Sequence, residues 1–118
     1  MSPSVLLVED DPSIARLLEI YLKSDFDIQQ ASTVQAAIET ITQSPFDIVV
    51  LDVTLGNRSG WDVLTFLRKE YPSVQTIVMT GQAGPDIKQK ALEMGAQAVL
   101  HKPITPAEVK NAIRALQR

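Results

Sequence analysis

The 118 residues contain no cysteine. Disulfide frameworks, thiolate metal sites and cysteine nucleophiles are therefore excluded, and nothing points to an oxidising compartment. A single histidine, His101, excludes any site that needs two. Neither sign of charge dominates: eleven lysines and arginines against fourteen acids leave a net −3. Direct binding to a nucleic-acid backbone is not expected, and proteins are the expected partners. No apolar run approaches membrane-spanning length, and Met1-Ser2-Pro3-Ser4 places no basic segment ahead of an apolar one. A cytoplasmic chain without membrane contact is expected. There is no linker, internal repeat or low-complexity segment, so residues 1–118 are expected to form one domain. The hydrophobic fraction of 45% and charged fraction of 21% are those of an ordinary folded chain. At this length roughly two-thirds of the unfolded surface is buried around a single core.

Short apolar runs rich in branched residues recur at Val5 to Val8, Phe26 to Ala31, Asp47 to Leu51, Thr76 to Met79 and Ala98 to Leu100. Each is separated from the next by a segment of helical period, the pattern of alternating strands and helices. Three of the runs are apolar nearly throughout, as strands covered on both faces must be. The run at Phe26 alternates more and is expected at an edge. Asp11 can cap a helix that begins at Pro12, with Ile14, Leu17, Leu18, Tyr21 and Leu22 forming its apolar stripe. Ser32 with Gln35 and Thr105 with Glu108 fit the reciprocal capping pattern, and Ser59 with Asp62 resembles it. The stripes that follow are Ala37, Ile38 and Ile41; Val109, Ala112, Ile113 and Leu116; and Trp61, Leu64 and Leu67. A further helix is expected from about Asp86 to Met94, ending at Gly95 in a left-handed C-terminal position. Right-handed crossovers then make the (βα)5 chain a parallel sheet with helices on both faces.

Parallel strands bring their carboxyl ends to one edge, where open α/β sheets bind ligands. Glu9, Asp10 and Asp11 follow the first strand, Asp52 ends the third, Thr80 and Gly81 follow the fourth, and Lys102 and Pro103 follow the fifth. Asp11 is assigned to capping. Glu9, Asp10 and Asp52 converge on adjacent strand ends, and three ionised carboxylates there repel unless a cation intervenes or a proton binds. Oxygen ligands without histidine or cysteine suit a hard divalent ion, and Mg²⁺ needs few carboxylates because it keeps waters and takes phosphate oxygens. The three acids with Lys102 carry −2, which one Mg²⁺ cancels, leaving a site able to receive a phosphoryl group. Thr80 would then donate its hydroxyl to a phosphoryl oxygen, and Gly81 would leave room for the donor. Taken singly, a solvated strand-end lysine, a threonine favoured by strand propensity and a turn glycine explain these residues as well; their occurrence together favours the chemistry.

Val5-Leu6-Leu7-Val8-Glu9-Asp10-Asp11, Val49-Val50-Leu51-Asp52, Leu55 with Gly60, Val78-Met79-Thr80-Gly81, Gly95-Ala96 and Lys102-Pro103, in this order and spacing, resemble the receiver domain of two-component response regulators, including chemotaxis regulators. The resemblance covers essentially the whole chain. It implies a doubly wound, flavodoxin-like α/β fold with five parallel strands in the order 2-1-3-4-5. It implies a phosphorylation switch in which Asp52 is the nucleophile that accepts a phosphoryl group from a histidine kinase or histidine phosphotransfer protein. Glu9 and Asp10 match the acidic pair that holds Mg²⁺ beside Asp52, and the main-chain carbonyl of Thr54 matches the remaining protein ligand. Thr80 matches the hydroxyl residue that turns inward on phosphorylation, and Lys102 the lysine that meets the phosphoryl group, before a cis bond to Pro103. Ile14, Ala15 and Pro103 are the implied contacts to the phosphodonor. A downstream output protein or domain is the implied recipient of the signal, and a phosphorylation-dependent dimer is compatible with it. Such a chain catalyses only its own phosphorylation and dephosphorylation.

The chain departs from the pattern at three positions. Val99 stands where a tyrosine or phenylalanine is common, Gly56 where proline is frequent, and Ile104 where phenylalanine is. A more mobile loop is expected at Gly56, and solvent reaching the acceptor past Thr54 and Gln82 is expected to set the lifetime of its phosphate. His101 alternates with Lys102 and is expected at the surface. Lys88, Lys90, Lys110 and Arg114 are expected on solvated faces. A haloacid-dehalogenase-like phosphatase would need a second aspartate where Thr54 stands, and a flavin or nucleotide binder would need a phosphate-cradling loop where Glu9-Asp10-Asp11 would repel it. A receiver-fold interaction module that is never phosphorylated remains the alternative.

Overall fold

Val5-Leu6-Leu7-Val8 and Ile48-Val49-Val50-Leu51 offer no polar face to water, so each must be covered on both sides. The computed structural model, which describes residues 2–55, 58–81 and 85–117, places both in the middle of a sheet. In chain order the elements are β1 (Ser4–Val8), α1 (Pro12–Leu22), β2 (Asp27–Ala31), α2 (Val34–Gln43), β3 (Ile48–Asp52), the short ribbon strands β4 (Thr54–Leu55) and β5 (Arg58–Ser59), α3 (Trp61–Glu70), β6 (Gln75–Thr80), α4 (Pro85–Glu93), β7 (Ala98–His101) and α5 (Pro106–Leu116). The five longer strands are all parallel, in the order β2-β1-β3-β6-β7. Counting those strands alone, this is 2-1-3-4-5, the flavodoxin-like order. No helix among the described residues is long and apolar enough to cross a membrane.

Period-two alternation along the strands splits the core into two layers. Leu6, Val8, Val49, Leu51 and Val78 pack with the inner faces of α2 and α3 and with Ala91 of α4. Val5, Leu7, Ile48, Val50, Ile77 and Met79 pack with α1 and α5. Each such side chain, wholly removed from water, contributes roughly 1.5–3 kcal/mol. The β2 strand lies at an edge and is mostly exposed, as its alternation predicts.

The helix starts follow the cap residues with two corrections. Asp11 accepts from the Ser13 and Ile14 N–H groups (2.9 and 3.3 Å) and Pro12 opens α1. Thr105 and Glu108 complete the reciprocal box of α5. The cap of α2, however, is Thr33, which accepts from the Ala36 N–H at 3.0 Å. Ser32 lies one residue too early, and Gln35 instead donates to Glu39. At α3 the N-cap is Gly60, and the Ser59 hydroxyl accepts from the Trp61 N–H. Gly95 ends α4 with φ 102°, its own N–H reaching the Leu92 carbonyl and the Ala96 N–H that of Ala91, the paired bonds of a left-handed helix terminus.

The stripe of α1 is also shifted. The residues it buries are Ala15, Leu18 and Leu22, while Ile14, Leu17 and Tyr21 are exposed. The apolar positions run as two adjacent stripes one residue apart, and the small Ala15 lets the helix approach the sheet along the other one. On α3, Val63 joins Leu64 and Leu67 in the core and Trp61 is half-buried.

Candidate functional site

A strand-end acid is placed by the ladder behind it, and here four adjacent strands deliver polar side chains to one edge. The Glu9 N–H continues the β1 ladder to the Ala31 carbonyl (3.1 Å), and the Val53 N–H carries β3 on to the Met79 carbonyl (3.2 Å). The Lys102 N–H reaches the Thr80 carbonyl at 2.8 Å. The backbone holding Glu9, Asp52, Thr80 and Lys102 is thus an extension of the sheet rather than free loop. The Lys102-Pro103 bond is cis.

Glu9, Asp10 and Asp52 each present a carboxylate oxygen within 4.8 Å of the others. Glu9 and Asp52 are buried, at 2% and 1% exposure, and Asp10 is exposed. Both oxygens of Asp52 are engaged: Oδ1 accepts from the Thr54 N–H at 2.8 Å and Oδ2 from Lys102 Nζ at 2.6 Å. Lys102 also lies 3.5 Å from Glu9 Oε1, and Glu9 Oε2 accepts from the Asp11 N–H at 3.2 Å. Thr80 is fully buried at the end of β6, whose neighbouring residue Met79 pairs with Asp52. Thr54, whose carbonyl is the expected fourth ligand, is fixed by pairing with Ser59 in the β4–β5 ribbon.

Burial pushes the Glu9 carboxyl up to about 7, with the hydrogen bond and charge of Asp52 adding to it, against the Asp11 N–H and the Lys102 charge. Burial alone would pull the Lys102 ammonium down; the hydrogen bond and charge of Asp52, with those of Glu9, outweigh it and raise Lys102 above its ordinary 10.5. A single ammonium therefore does not satisfy the acids: one buried carboxyl keeps its proton to neutrality. Oxygen donors crowded this closely, with no histidine or sulfur among them, fit a small hard divalent cation.

Beside the acids, on the α1–α5 side, opens a cleft of about 180 Å³ walled by Ile14, Leu17, Met79, Ile104 and Val109, with Glu9 and Lys102 at its edge. Of the expected donor contacts, Ile14 and Pro103 are exposed, whereas Ala15 is buried, at the floor of a surface groove it shares with Asp10 and Gln30. Leu17, expected in the apolar stripe of α1, is 55% exposed on the wall of the cleft beside Ile14. His101 is exposed as expected, and Val99 is half-buried against the α2–α3 layer. Lys88, Lys90 and Arg114 are exposed as expected and Lys110 is half-buried, and three of these four also have partners. Lys110 pairs with Asp25 at 2.7 Å and lies over the Tyr21 ring, Arg114 pairs with Asp25 at 3.3 Å, and Lys90 lies over the Trp61 ring. Gly56 and Gln82 fall outside the described residues.

Residues 5–114 match the family model of the response regulator receiver domain. The transcriptional regulatory protein SrrA of Staphylococcus aureus is 34% identical over 119 residues, covering all of this chain and 49% of SrrA. The chain thus spans about half the length of the curated relatives it matches. Among solved structures, a signal receiver domain from Vibrio parahaemolyticus superposes with a TM-score of 0.91 at 32% identity, over 98% of this chain and 89% of that one. The non-phosphorylated HemR receiver domain from Leptospira biflexa gives 0.86 at 30% identity, over 99% and 93%.

Proposed function

The chain belongs to the response regulator receiver family of two-component signalling, whose members are switches rather than enzymes in the ordinary sense, and from that premise we propose that Asp52 is its phosphoacceptor. The observation that carries the reading is the state of Asp52: a carboxylate 1% exposed, gripped at Oδ2 by Lys102 (2.6 Å) and at Oδ1 by the Thr54 N–H (2.8 Å), and crowded by two further acids. A carboxylate oxygen attacks the phosphorus of a phosphohistidine; the O–P bond forms, the P–N bond breaks, and the imidazole leaves with the electron pair. Lys102, already at the attacking carboxylate, turns its ammonium to the incoming phosphoryl oxygens. Thr80, buried at the neighbouring strand end, gives its hydroxyl to one of them. Attack of water on the same phosphorus later returns the free aspartate.

Glu9, Asp10, Asp52 and the Thr54 carbonyl would hold Mg²⁺. When bound, the ion supplies charge neutralisation for the transferring group. Residues 1–118 act as one receiver unit in the cytoplasm. The donor is a histidine kinase or a histidine phosphotransfer protein, meeting Ile14, Leu17 and Pro103. The recipient is an output protein or domain, with phosphorylation-dependent dimerisation as one means of reaching it. Phosphorylation shifts the population toward the partner-binding conformation, and the domain itself makes no direct contact with nucleic acid.

Mg²⁺-dependent labelling by a small phosphodonor tests the assignment. The unsubstituted protein takes up one phosphoryl group and Asp52→Asn takes up none. Equal labelling of the two overturns the assignment, and a protein that takes up none with Mg²⁺ present is an interaction module instead.

A further inference from the structure

The N-terminal end of α3 touches the acceptor strand through backbone alone. A Cβ at Gly60 would overlap the Asp52 carbonyl oxygen and lie 2.5 Å from the Val53 Cα, and the Gly60 N–H donates to the Val53 carbonyl at 3.0 Å. No side chain cushions this contact, so a displacement of the Asp52–Val53 backbone is passed to Gly60, the N-cap of α3. Trp61 comes next, its N–H held by the Ser59 hydroxyl at 3.1 Å and its ring half-buried on the α2–α3 core layer.

Over that ring, 4.3 Å from its centroid, lies Lys90 Nζ of α4. Elsewhere α4 packs on β7, and Ala91 is its one fully buried residue. A second tie joins the same two helices at their far ends, where the Arg68 guanidinium donates to the Glu93 carbonyl. Two side-chain contacts therefore tie α4 to α3 beside its packing on β7, and α3 begins on the acceptor backbone.

We infer that Lys90 stacked on Trp61 is a latch that couples the backbone at Asp52 to the placement of α4, by way of Gly60 and the first turn of α3. The ring is held by cation attraction to its face, a contact broken by a small rotation, and α4 then keeps its packing on β7, the buried Ala91 and the Arg68 bond to locate it. The inference rests on Asp52 being the acceptor, and it makes Lys90 a positioning residue that touches neither metal nor phosphate.

Trp61 is the single tryptophan, so its fluorescence reports the first turn of α3, while hydrogen exchange at residues 85–93 reports α4. The probe is beryllofluoride with Mg²⁺, a phosphoryl mimic. In the unsubstituted protein the probe is expected to change both the Trp61 emission and the α4 exchange rates. In Lys90→Met the Trp61 response persists, because the contact at Gly60 is intact, but the change in α4 exchange falls several-fold; Lys90→Arg restores it. Labelling of Asp52 by a small phosphodonor is expected to be unchanged in Lys90→Met. Intact labelling with an α4 response equal in Lys90→Met and the unsubstituted protein overturns the latch, as does an α4 that ignores the probe in the unsubstituted protein. Loss of labelling in the unsubstituted protein overturns the acceptor assignment instead, so the two failures are told apart.

Discussion

Glu9 is the residue whose state most constrains the chemistry, because it is buried next to Asp52 and shares Lys102 with it. In the metal-free protein its carboxyl titrates near 7, against 4.5 when unhindered. A carboxyl raised in the folded state binds its proton more tightly there than in the unfolded chain. The resulting stability is full below about pH 4.5 and is lost as the pH rises through about 7. Glu9→Gln keeps the shape and removes the titration. Without metal, the variant is expected to match the parent at low pH and to exceed it by on the order of 1–3 kcal/mol above neutrality. Urea unfolding in the presence of chelator, across the range from about pH 5 to 8, measures this; a variant less stable than the parent at the alkaline end contradicts the burial argument. The identity of Glu9, Asp10, Asp52, Thr80 and Lys102 as a group was legible in the sequence, because parallel topology alone sends strand ends to one edge. Which of them would be buried was not. Exposure depends on how α1 and the Pro103 loop close over the edge, and no pattern in residues 9–11 separates buried Glu9 from exposed Asp10.

Helix ends show the same limit one level up. A cap is an atom-level contact, and Ser32 and Thr33 both precede the apolar positions of α2 with a hydroxyl to offer. The structure gives the bond to Thr33, through its 3.0 Å contact with the Ala36 N–H. Thr33→Ala is expected to lose about 1 kcal/mol and Ser32→Ala to stay within about 0.5 kcal/mol of the parent. Chemical denaturation of the two variants decides it, and equal losses would mean that the cap is shared. At α5 there was no competitor: Thr105 and Glu108 flank Pro106 with the right spacing, and the box forms as read. The shifted stripe of α1 has a related cause. Ile14, Leu17 and Tyr21 recur with the same spacing as Ala15, Leu18 and Leu22, so periodicity supports either face. The bulkier set stays exposed beside the cleft, where a phosphodonor would meet it. The seam behind it is closed by charge. The hydrogen bond to Lys110 holds the Asp25 carboxyl below its ordinary value, with Arg114 adding to it. That exposed clamp between the end of α1 and α5 is complete above about the usual carboxylate pKa and is released only as the pH falls through the lowered one.

Across the whole molecule, the strand order was legible only through the family resemblance, since alternating strands and helices are compatible with more than one right-handed arrangement. Once β1 and β3 are adjacent, however, Glu9, Asp10 and Asp52 have no other place to go, and the fold itself creates the charge problem that a divalent ion relieves. Folding and metal binding are then linked. An ion that binds only the folded chain stabilises it in proportion to the logarithm of its concentration over its dissociation constant, about 2.7 kcal/mol at a hundredfold excess. Because Glu9 must give up its proton to become a ligand, the gain is expected to be larger at about pH 8 than at about pH 6. Thermal unfolding with and without millimolar Mg²⁺ at the two pH values is expected to show a rise of several degrees at the higher one and a smaller rise at the lower. The same titration on Asp52→Asn, which removes one ligand, is expected to show a reduced shift at both. If Mg²⁺ instead stabilises the two proteins alike, the ion is binding somewhere other than the edge formed by β1 and β3, and the electrostatic reading of that edge fails with it.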